Sequence, residues 1–336
     1  MFEFRSRLLA SALPLALVAA AAAVGMAVIP ATPASAAATD RLFTEPKQGF
    51  SEVYQLISGA RKSIDMTMYQ LADTTAERRL AAAASRGVAV RVILDGYQRE
   101  VNSAAYRYLN SHGVHTVWSS KAYYYTHEKA FVVDDATAVI MTANLTTEYY
   151  PTSRDFGIID TNARDVDAIE RVFRADYAHR RITPGDGADL VWSPTDAQRH
   201  LLALINGATS SLKIYANEMD DTAIENALVS AADRGVKVEV VGENEDGEYD
   251  SAYTKLADAG VKISYFSSDT GFYIHAKAIL ADDGTSRAKV FVGSENFSNT
   301  SLRSNRELGL IIRTRAVMSS IASTFAADFR RGTRWS

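Results

Sequence analysis

Two short segments of the chain carry the residue types that displacement at a phosphorus atom requires. Each segment has the form H-x-K-x4-D. The positions are His127, Lys129 and Asp134 in the first segment, and His275, Lys277 and Asp282 in the second. One imidazole can attack phosphorus while another protonates the leaving oxygen, and ammonium groups can hold the non-bridging oxygens. The two segments therefore predict chemistry at a phosphodiester.

More polar residues recur after both segments. A hydroxyl and an amide lie two residues apart, and an acid follows the amide after 11 residues. These residues are Thr142, Asn144 and Asp155 in the first copy, and Ser294, Asn296 and Glu307 in the second. The amides can bind phosphate oxygens beside the lysines, and a carboxylate on the far nitrogen of each imidazole would orient the ring. Asp155 and Glu307 suit the orienting role, whereas we expect Asp134 and Asp282 to form hydrogen bonds behind the site.

Two histidines could instead bind a metal ion. The neighbouring ammonium groups would repel a divalent cation, and lysine is not a usual metal ligand. We therefore expect a metal-independent reaction that needs no cofactor.

The two segments belong to an internal duplication. Several pairs of residues share an offset of 148 positions, and later pairs share an offset of 152. The first set includes Gly87 with Gly235 and His127 with His275, and the second includes Asn144 with Asn296 and Gly157 with Gly309. The four additional residues fall within positions 284–289, which have the composition of a turn. The sequence therefore contains two copies of one unit.

Each copy has the same predicted order of elements. A helical stretch precedes an alternating strand, and an Ala-rich helix then ends at a glycine, which is favoured just past a helix C-terminus. A further strand and helix precede the short strands that carry the H-x-K segments. Alternating strands and helices indicate an α/β layered fold. We expect lobes at 37–181 and 191–336, joined by a linker at 182–190.

The first 36 residues are typical of a secretory signal. A basic start at Arg5 and Arg7 precedes an apolar run from Leu8 to Ile29, and Ala34-Ser35-Ala36 matches an A-x-A cleavage site. Cleavage near Ala36 would release a secreted protein. The apolar run is also long enough to span a bilayer, so a retained anchor is the alternative.

Composition limits the function classes. The chain has 336 residues, of which 47% are hydrophobic, and it has no cysteine. These values exclude a disordered chain, a disulfide scaffold and a Cys-ligated metal protein. The net charge of −4 is opposite in sign to that of a general nucleic-acid coat.

The sequence resembles the phospholipase D superfamily, whose mark is a pair of H-x-K-x4-D motifs followed by G-S-x-N-like turns. The resemblance covers the chain after residue 36 and implies two lobes about a pseudo-two-fold axis with the active site between them. It implies a phosphohistidine intermediate, with His127 as nucleophile and His275 as general acid, and phosphate binding by the Lys and Asn positions and by Thr142 and Ser294. The first copy has Met141 where the pattern has glycine.

Three functions are consistent with this pattern. The first is a secreted phospholipase D that hydrolyses headgroups of the phosphatidylcholine type at a membrane or vesicle surface, with possible transfer to alcohols. The second is an extracellular nuclease, and the third is a two-lobed binding protein without catalysis. Aromatic residues near the motifs, such as Tyr123-Tyr124-Tyr125 and Phe272-Tyr273, fit lipid contact, base stacking or core packing. Because one chain supplies both half-sites, we expect a monomer with no obligatory protein partner.

Overall fold

A computed structural model of the protein describes residues 40–336. The signal predicted for residues 1–36 lies outside this range. Within the described part of the chain, every helix is too short or too polar to cross a membrane. The helices and strands form two successive sets of similar composition.

The first set is the N-terminal lobe. Its elements are β1 (Arg41–Glu45), α1 (Ser51–Gly59), β2 (Ser63–Met68), β3 (Leu71–Ala72), α2 (Thr74–Ser85), β4 (Ala89–Leu94), α3 (Arg99–Ser111), β5 (His115–Trp118), β6 (Lys129–Val133), β7 (Thr137–Met141), β8 (Leu145–Thr146), β9 (Ser153–Asp160) and α4 (Ala163–Tyr177).

The second set is the C-terminal lobe. Its elements are β10 (Leu190–Ser193), α5 (Ala197–Gly207), β11 (Ser211–Ala216), α6 (Thr222–Asp233), β12 (Lys237–Glu243), α7 (Asp250–Asp258), β13 (Lys262–Phe266), β14 (Tyr273–Ile274), β15 (Ala278–Ala281), β16 (Lys289–Gly293), α8 (Asn299–Arg303), β17 (Glu307–Ile312), α9 (Arg315–Arg331) and β18 (Thr333–Arg334). The segment between α4 and β10 contains no helix or strand.

Each lobe is built on an eight-stranded sheet, and seven strands of each sheet follow the same order. The order is β1-β9-β7-β6-β2-β4-β5 in the first sheet and β10-β17-β16-β15-β11-β12-β13-β18 in the second. The eighth strand of the first sheet is β14, which comes from the C-terminal lobe and pairs with β9. The predicted duplicated α/β fold is therefore confirmed.

The equivalent helices α2 and α6 have the same kind of residue at each end. Asp73 caps α2 by accepting hydrogen bonds from two backbone N–H groups, and Asp221 caps α6 in the same way. Past their C-termini, Gly87 and Gly235 have φ values of 90° and 85°, a region that favours glycine. Each helix therefore leads directly into the next parallel strand.

Three apolar clusters stabilise the fold. One packs α1, α2 and α3 on the N-terminal sheet, and a second packs α5, α6 and α7 on the C-terminal sheet. The third, the shared core, lies between the sheets and includes side chains of α4 and α9. In β6, Phe131 belongs to the first cluster while Ala130 and Val132 belong to the shared core, so both faces of this strand are buried.

The aspartates of the two motifs lie at strand ends remote from the histidines. Asp134 follows β6 and accepts hydrogen bonds from the backbone N–H groups of residues 61–63 at 2.7–3.1 Å. Asp282 follows β15 and binds the backbone of Thr209 and Ser210 in the corresponding loop. These hydrogen bonds fix the loops between helix and strand, so the expectation that Asp134 and Asp282 act behind the site is not met. Burial works against ionisation, but the hydrogen bonds from Ser210 and Thr209 lower the pKa of Asp282 to about 2.

Candidate active site

The two histidines line one cavity of about 660 Å³ between the lobes. The motif spacing predicts that each histidine lies on a strand, but β6 begins at Lys129 and β15 begins after Lys277, so both histidines precede their strands. The opposite lobe holds their backbones: His127 donates its N–H to the carbonyl of Arg306 at 2.9 Å, and His275 donates to that of Arg154 at 3.2 Å.

Each imidazole is oriented by an acid from the opposite lobe. The Nδ1 atom of His127 lies 2.8 Å from Oε2 of Glu307, and Nδ1 of His275 lies 2.8 Å from Oδ1 of Asp155. An Nδ1–H that donates to the carboxylate leaves the Nε2 lone pair available for chemistry. The structure therefore brings together the residues predicted to form two His–acid pairs, and it shows that the pairs cross between lobes.

Neighbouring hydroxyls hold these carboxylates in place. Asp155 accepts hydrogen bonds from Oγ1 of Thr142 at 2.6 Å and from Oγ of Ser153 at 2.8 Å. Glu307 accepts from Oγ of Ser301 at 2.7 Å and from Nδ2 of Asn305 at 3.0 Å. Both carboxylates are therefore fixed before any substrate binds.

Thr142 and Ser294 occupy different surroundings from those that the resemblance implies. Both side chains are fully buried, and neither lines the cavity. Thr142 donates to Asp155 and accepts the backbone N–H of Phe156, and Ser294 accepts that of Leu308. Thr142 therefore supports an orienting acid and Ser294 supports the sheet, and neither hydroxyl lies in the cavity lining where the resemblance implies a phosphate contact.

Two asparagines line the cavity beside the histidines. Nδ2 of Asn144 lies 3.4 Å from Oε1 of Gln70, and Nδ2 of Asn296 lies 2.6 Å from Oε1 of Glu218. Gln70 and Glu218 are 148 positions apart, so they are equivalent residues of the two copies. The sequence analysis did not identify them, although the offset contained the signal.

The lysines lie behind the histidines and are almost completely buried. Each Nζ donates to the carbonyl of the histidine two residues earlier, and Nζ of Lys129 also lies 4.8 Å from the ring centroid of Tyr69. Burial lowers the pKa of Lys277 to about 8 and places that of Lys129 well below its ordinary value. An anionic phosphate that enters the site would stabilise both ammonium groups.

Burial also determines the resting state of the His–acid pairs. It lowers the pKa of both histidines to about 4, aided by the nearby lysines and opposed by the carboxylates. Burial alone would raise the pKa of Asp155, but His275 and Lys277 bring it below its ordinary value, and His127 and Lys129 do the same for Glu307. Near pH 7 the pairs therefore hold neutral imidazoles beside ionised carboxylates.

A second pair of acids fixes the residue before each histidine. Asp95 accepts the backbone N–H of Thr126 at 2.7 Å, and Glu243 accepts that of Ile274 at 2.7 Å. Asp95 and Glu243 are also 148 positions apart. They position the histidine backbones without touching the rings.

Two buried ion pairs join the lobes next to the site. Arg154 binds Asp328 through Nε at 2.6 Å, and Arg306 binds Asp176 through Nε at 2.8 Å. Both arginines immediately precede the acids that orient the histidines. The two arginines are 152 positions apart, and so are the two aspartates. The ion pairs thus hold each orienting acid against the opposite lobe.

Comparison with known families agrees with this geometry. A family described as "Cardiolipin synthase, PLD-like domain" matches residues 53–177 and 201–329, one match in each lobe. The chain belongs to the phospholipase D superfamily. It is 22% identical to cardiolipin synthase 1 of Bacillus anthracis over 90% of this chain and 68% of that protein. It is 25% identical to cardiolipin synthase B of Salmonella typhi over 82% of this chain and 76% of that protein.

Solved structures show the same superfamily fold. Phosphatidylserine synthase of Haemophilus influenzae superposes with a TM-score of 0.68 at 13% identity, covering 88% of this chain and 87% of that one. Polyphosphate kinase of Porphyromonas gingivalis superposes with a TM-score of 0.69 at 16% identity, covering 87% of this chain. This chain spans half the length of the kinase. Membership of the superfamily makes the protein a phosphodiester-handling enzyme.

Proposed function

We propose that the protein transfers the phosphatidyl group of a phospholipid from its headgroup alcohol to water or to a second alcohol. The observation that carries this proposal is the pair of imidazoles, each oriented by an acid of the opposite lobe, that line a single cavity. The names of the cardiolipin synthase relatives support phospholipid as the substrate class.

In the first half of the reaction, the Nε2 lone pair of His127 attacks phosphorus and forms a P–N bond. The bond from phosphorus to the headgroup oxygen breaks, and the Nε2–H of a protonated His275 supplies a proton to that oxygen. Burial lowers the pKa of His275 to about 4, and the negative charge of the phosphodiester favours its protonation when substrate binds. Asn144 and Asn296, which line the cavity, stabilise the charge on the non-bridging oxygens, and Lys129 and Lys277 add positive charge from behind the histidines.

In the second half, neutral His275 removes a proton from water or from an acceptor alcohol. The resulting oxygen attacks phosphorus, the P–N bond breaks, and His127 recovers its lone pair. Glu307 stabilises the positive charge that His127 carries while it is bonded to phosphorus, since it accepts the Nδ1–H. The same residues therefore serve hydrolysis and transfer.

The cavity lining favours a phospholipid over a nucleic acid. None of its described residues is lysine or arginine, whereas Glu218, Glu243 and Glu245 all contribute to it. A nucleic acid would bring further phosphates into the cavity and would find no lysine or arginine among the described lining residues to neutralise them. A phospholipid with a single phosphodiester does not need these additional cations.

Exposed tyrosines lie close to the cavity and suit a membrane surface. Tyr97 and Tyr124 are 57% and 55% exposed, and both contact the ring of Tyr125. Tyr125 contacts Tyr69, which lines the cavity, and exposed Tyr149 lines it directly. Tyrosine is favoured where a protein meets the polar region of a bilayer. We infer that this side of the molecule contacts the lipid surface from which the substrate enters.

We also propose that the protein is exported after cleavage near Ala36 and acts as a monomer. The support is the composition of residues 1–36 and the presence of both half-sites in one chain. N-terminal sequencing of the protein recovered from the culture medium should begin close to Ala37. Recovery of an intact N-terminus in the membrane fraction would contradict cleavage.

The test of the function uses the mature protein with a chelator present. Vesicles of phosphatidylcholine or phosphatidylglycerol, with and without added glycerol, are compared with single-stranded DNA. Release of the headgroup, or formation of a new phosphatidyl ester with glycerol, supports the proposal. DNA cleavage without phospholipid turnover would establish the nuclease alternative, and no turnover of either substrate would support a binding protein.

A further inference from the structure

The cavity has two unlike walls, although the lobes that form them are copies of one unit. Glu218, Glu243 and Glu245 come from the C-terminal lobe, and we call these three residues the acidic wall. Among the described residues of the N-terminal lobe, Asp155 is the one carboxylate in the lining, and it is hydrogen-bonded to His275. Because the lobes are copies, each residue of the acidic wall can be compared with the equivalent residue of the N-terminal lobe.

At the positions of the N-terminal lobe that are equivalent to the acidic wall, the side chain either has no carboxylate or does not line the cavity. Glu218 corresponds to Gln70 and Glu245 to exposed Tyr97, both at the 148-residue offset. Glu243 corresponds to Asp95, whose shorter side chain is fully buried and does not line the cavity. Because the His, Lys and Asn positions are identical in the two lobes, this divergence affects what surrounds the phosphate and leaves the chemistry unchanged.

Glu218 is the member of the acidic wall that contacts one of the cavity asparagines. Its Oε1 lies 2.6 Å from Nδ2 of Asn296, whereas the equivalent distance from Gln70 to Asn144 is 3.4 Å. Asn144 and Asn296 are both placed to bind phosphate, so a group attached to the phosphorus on this side would lie against Glu218.

A second observation indicates a ligand beside the asparagines. Asn296 is only 4% exposed, and its Oδ1, like that of Asn144, has no hydrogen-bond partner in the described part of the chain. A buried acceptor without a donor is unfavourable unless a ligand supplies one. Burial also raises the pKa of Glu218 above its ordinary value and that of Glu243 to about 8, so a bound cation or donor would stabilise the ionised carboxylates.

We propose that the acidic wall is the subsite for the alcohol part of the reaction, and that Glu218 selects alcohols bearing an ammonium group or additional hydroxyls. The inference rests on the proposed function. The headgroup that leaves and the acceptor that replaces it use the same subsite, because the two half-reactions are the reverse of one another at phosphorus. The lipid-facing part of the substrate then lies toward Tyr149 and the other tyrosines of the N-terminal lobe.

The experiment compares wild type with Glu218→Gln on four substrates that differ only in headgroup. Phosphatidylcholine carries a cation without N–H donors, phosphatidylethanolamine carries a cation with them, and phosphatidylglycerol carries hydroxyls. Phosphatidyl-p-nitrophenol has neither a positive charge nor a hydroxyl donor in its headgroup. Glutamine keeps the contact with Asn296, since Gln70 makes the equivalent contact in the N-terminal lobe.

We expect Glu218→Gln to lower kcat/KM roughly 10- to 100-fold for the headgroups that the wall binds, as for loss of a hydrogen bond to a charged group. The p-nitrophenyl substrate should change by less than about threefold, since its headgroup offers the wall no donor. A loss confined to the amine headgroups identifies an ammonium ligand, and a loss confined to phosphatidylglycerol identifies a polyol. Glu248→Gln, at an exposed position outside the lining, should leave all four rates unchanged.

An equal loss with all four substrates would overturn the proposal, since Glu218 would then act only by holding Asn296. Unchanged rates with all four would overturn it as well. Failure of the wild type to cleave any of the four would refute the proposed function and the subsite with it. Failure of the variant alone leaves the proposed function intact.

Discussion

The two lobes have kept the same reacting groups but differ in the surfaces that surround them. His127, Lys129 and Asn144 match His275, Lys277 and Asn296 in type and in spacing, whereas Gln70 and Glu218 differ in charge at equivalent positions. In the proposed reaction, the phosphorus atom contacts both halves of the site and therefore constrains both copies equally. The headgroup and the lipid part of the substrate would then lie on different sides of the phosphorus, so each wall can suit a different one.

The largest expected effect comes from the histidines. His127→Ala and His275→Ala should each lower turnover of phospholipids by about 10⁴-fold or more, because each removes a reacting group. The two variants should differ with a p-nitrophenyl leaving group, which needs no protonation. Trapping of acid-labile phosphate should then persist in His275→Ala and disappear in His127→Ala. The opposite pattern would exchange the two roles, and full activity of either variant on phospholipids would rule out a shared site.

Loss of either orienting acid should have the next largest effect. Asp155→Asn and Glu307→Gln should lower kcat by about 10² to 10⁴-fold, since the imidazole loses its preferred tautomer and the stabilisation of its positive charge. Thermal unfolding of both variants serves as the control for the fold. If Asp155→Asn impaired the step assigned to His127 rather than that of His275, the crossed pairing of acids and histidines would be incorrect.

Variants of the two ion pairs between the lobes show whether both halves of the interface contribute equally to stability. Arg154→Met and Arg306→Met each leave a buried aspartate without its partner, which should lower the free energy of unfolding by about 3–5 kcal/mol. Chemical denaturation measures the loss, and Arg171→Met at an exposed ion pair is the matched control, with an expected loss of less than about 1 kcal/mol. A loss in only one of the two interface variants would show that the pairs are unequal.

The smallest expected effect is on the pH dependence of kcat/KM, which tests the difference in charge between Glu218 and Gln70. Because burial lowers the pKa of Lys277 to about 8, loss of its positive charge should add a basic limb to the pH profile of kcat/KM as the pH rises through 8. Glu218 favours the charged form of Lys277, so Glu218→Gln should move this basic limb to lower pH. Lys277→Arg keeps a positive charge at position 277 over this pH range. A Lys277→Arg variant that remains active should therefore show no basic limb. A basic limb unchanged by both substitutions would assign it to another group.

The sequence identified the reacting groups because their types are unusual for a core and because they occur twice at a constant spacing. The offset of 148 also marked Gln70 with Glu218 and Asp95 with Glu243, and the offset of 152 marked Arg154 with Arg306. These residue types are common on surfaces and did not stand out. Thr142 and Ser294 were misplaced because a small hydroxyl beside an asparagine fits either a phosphate or a buried acid. Asp134 and Asp282 were misplaced because a side chain at the end of a strand lies far from one at its beginning.

The amino-acid sequence alone determined the duplication, the α/β class and the set of groups that can act on a phosphodiester, since all of these follow from residue type and interval along the chain. The tertiary structure alone decided that Glu307 orients His127 and Asp155 orients His275. It also decided that the carboxylates of the C-terminal lobe collect on one wall of the cavity. These relations join residues 120 and 180 positions apart, and such distant pairings are set by how the two sheets pack against the shared core.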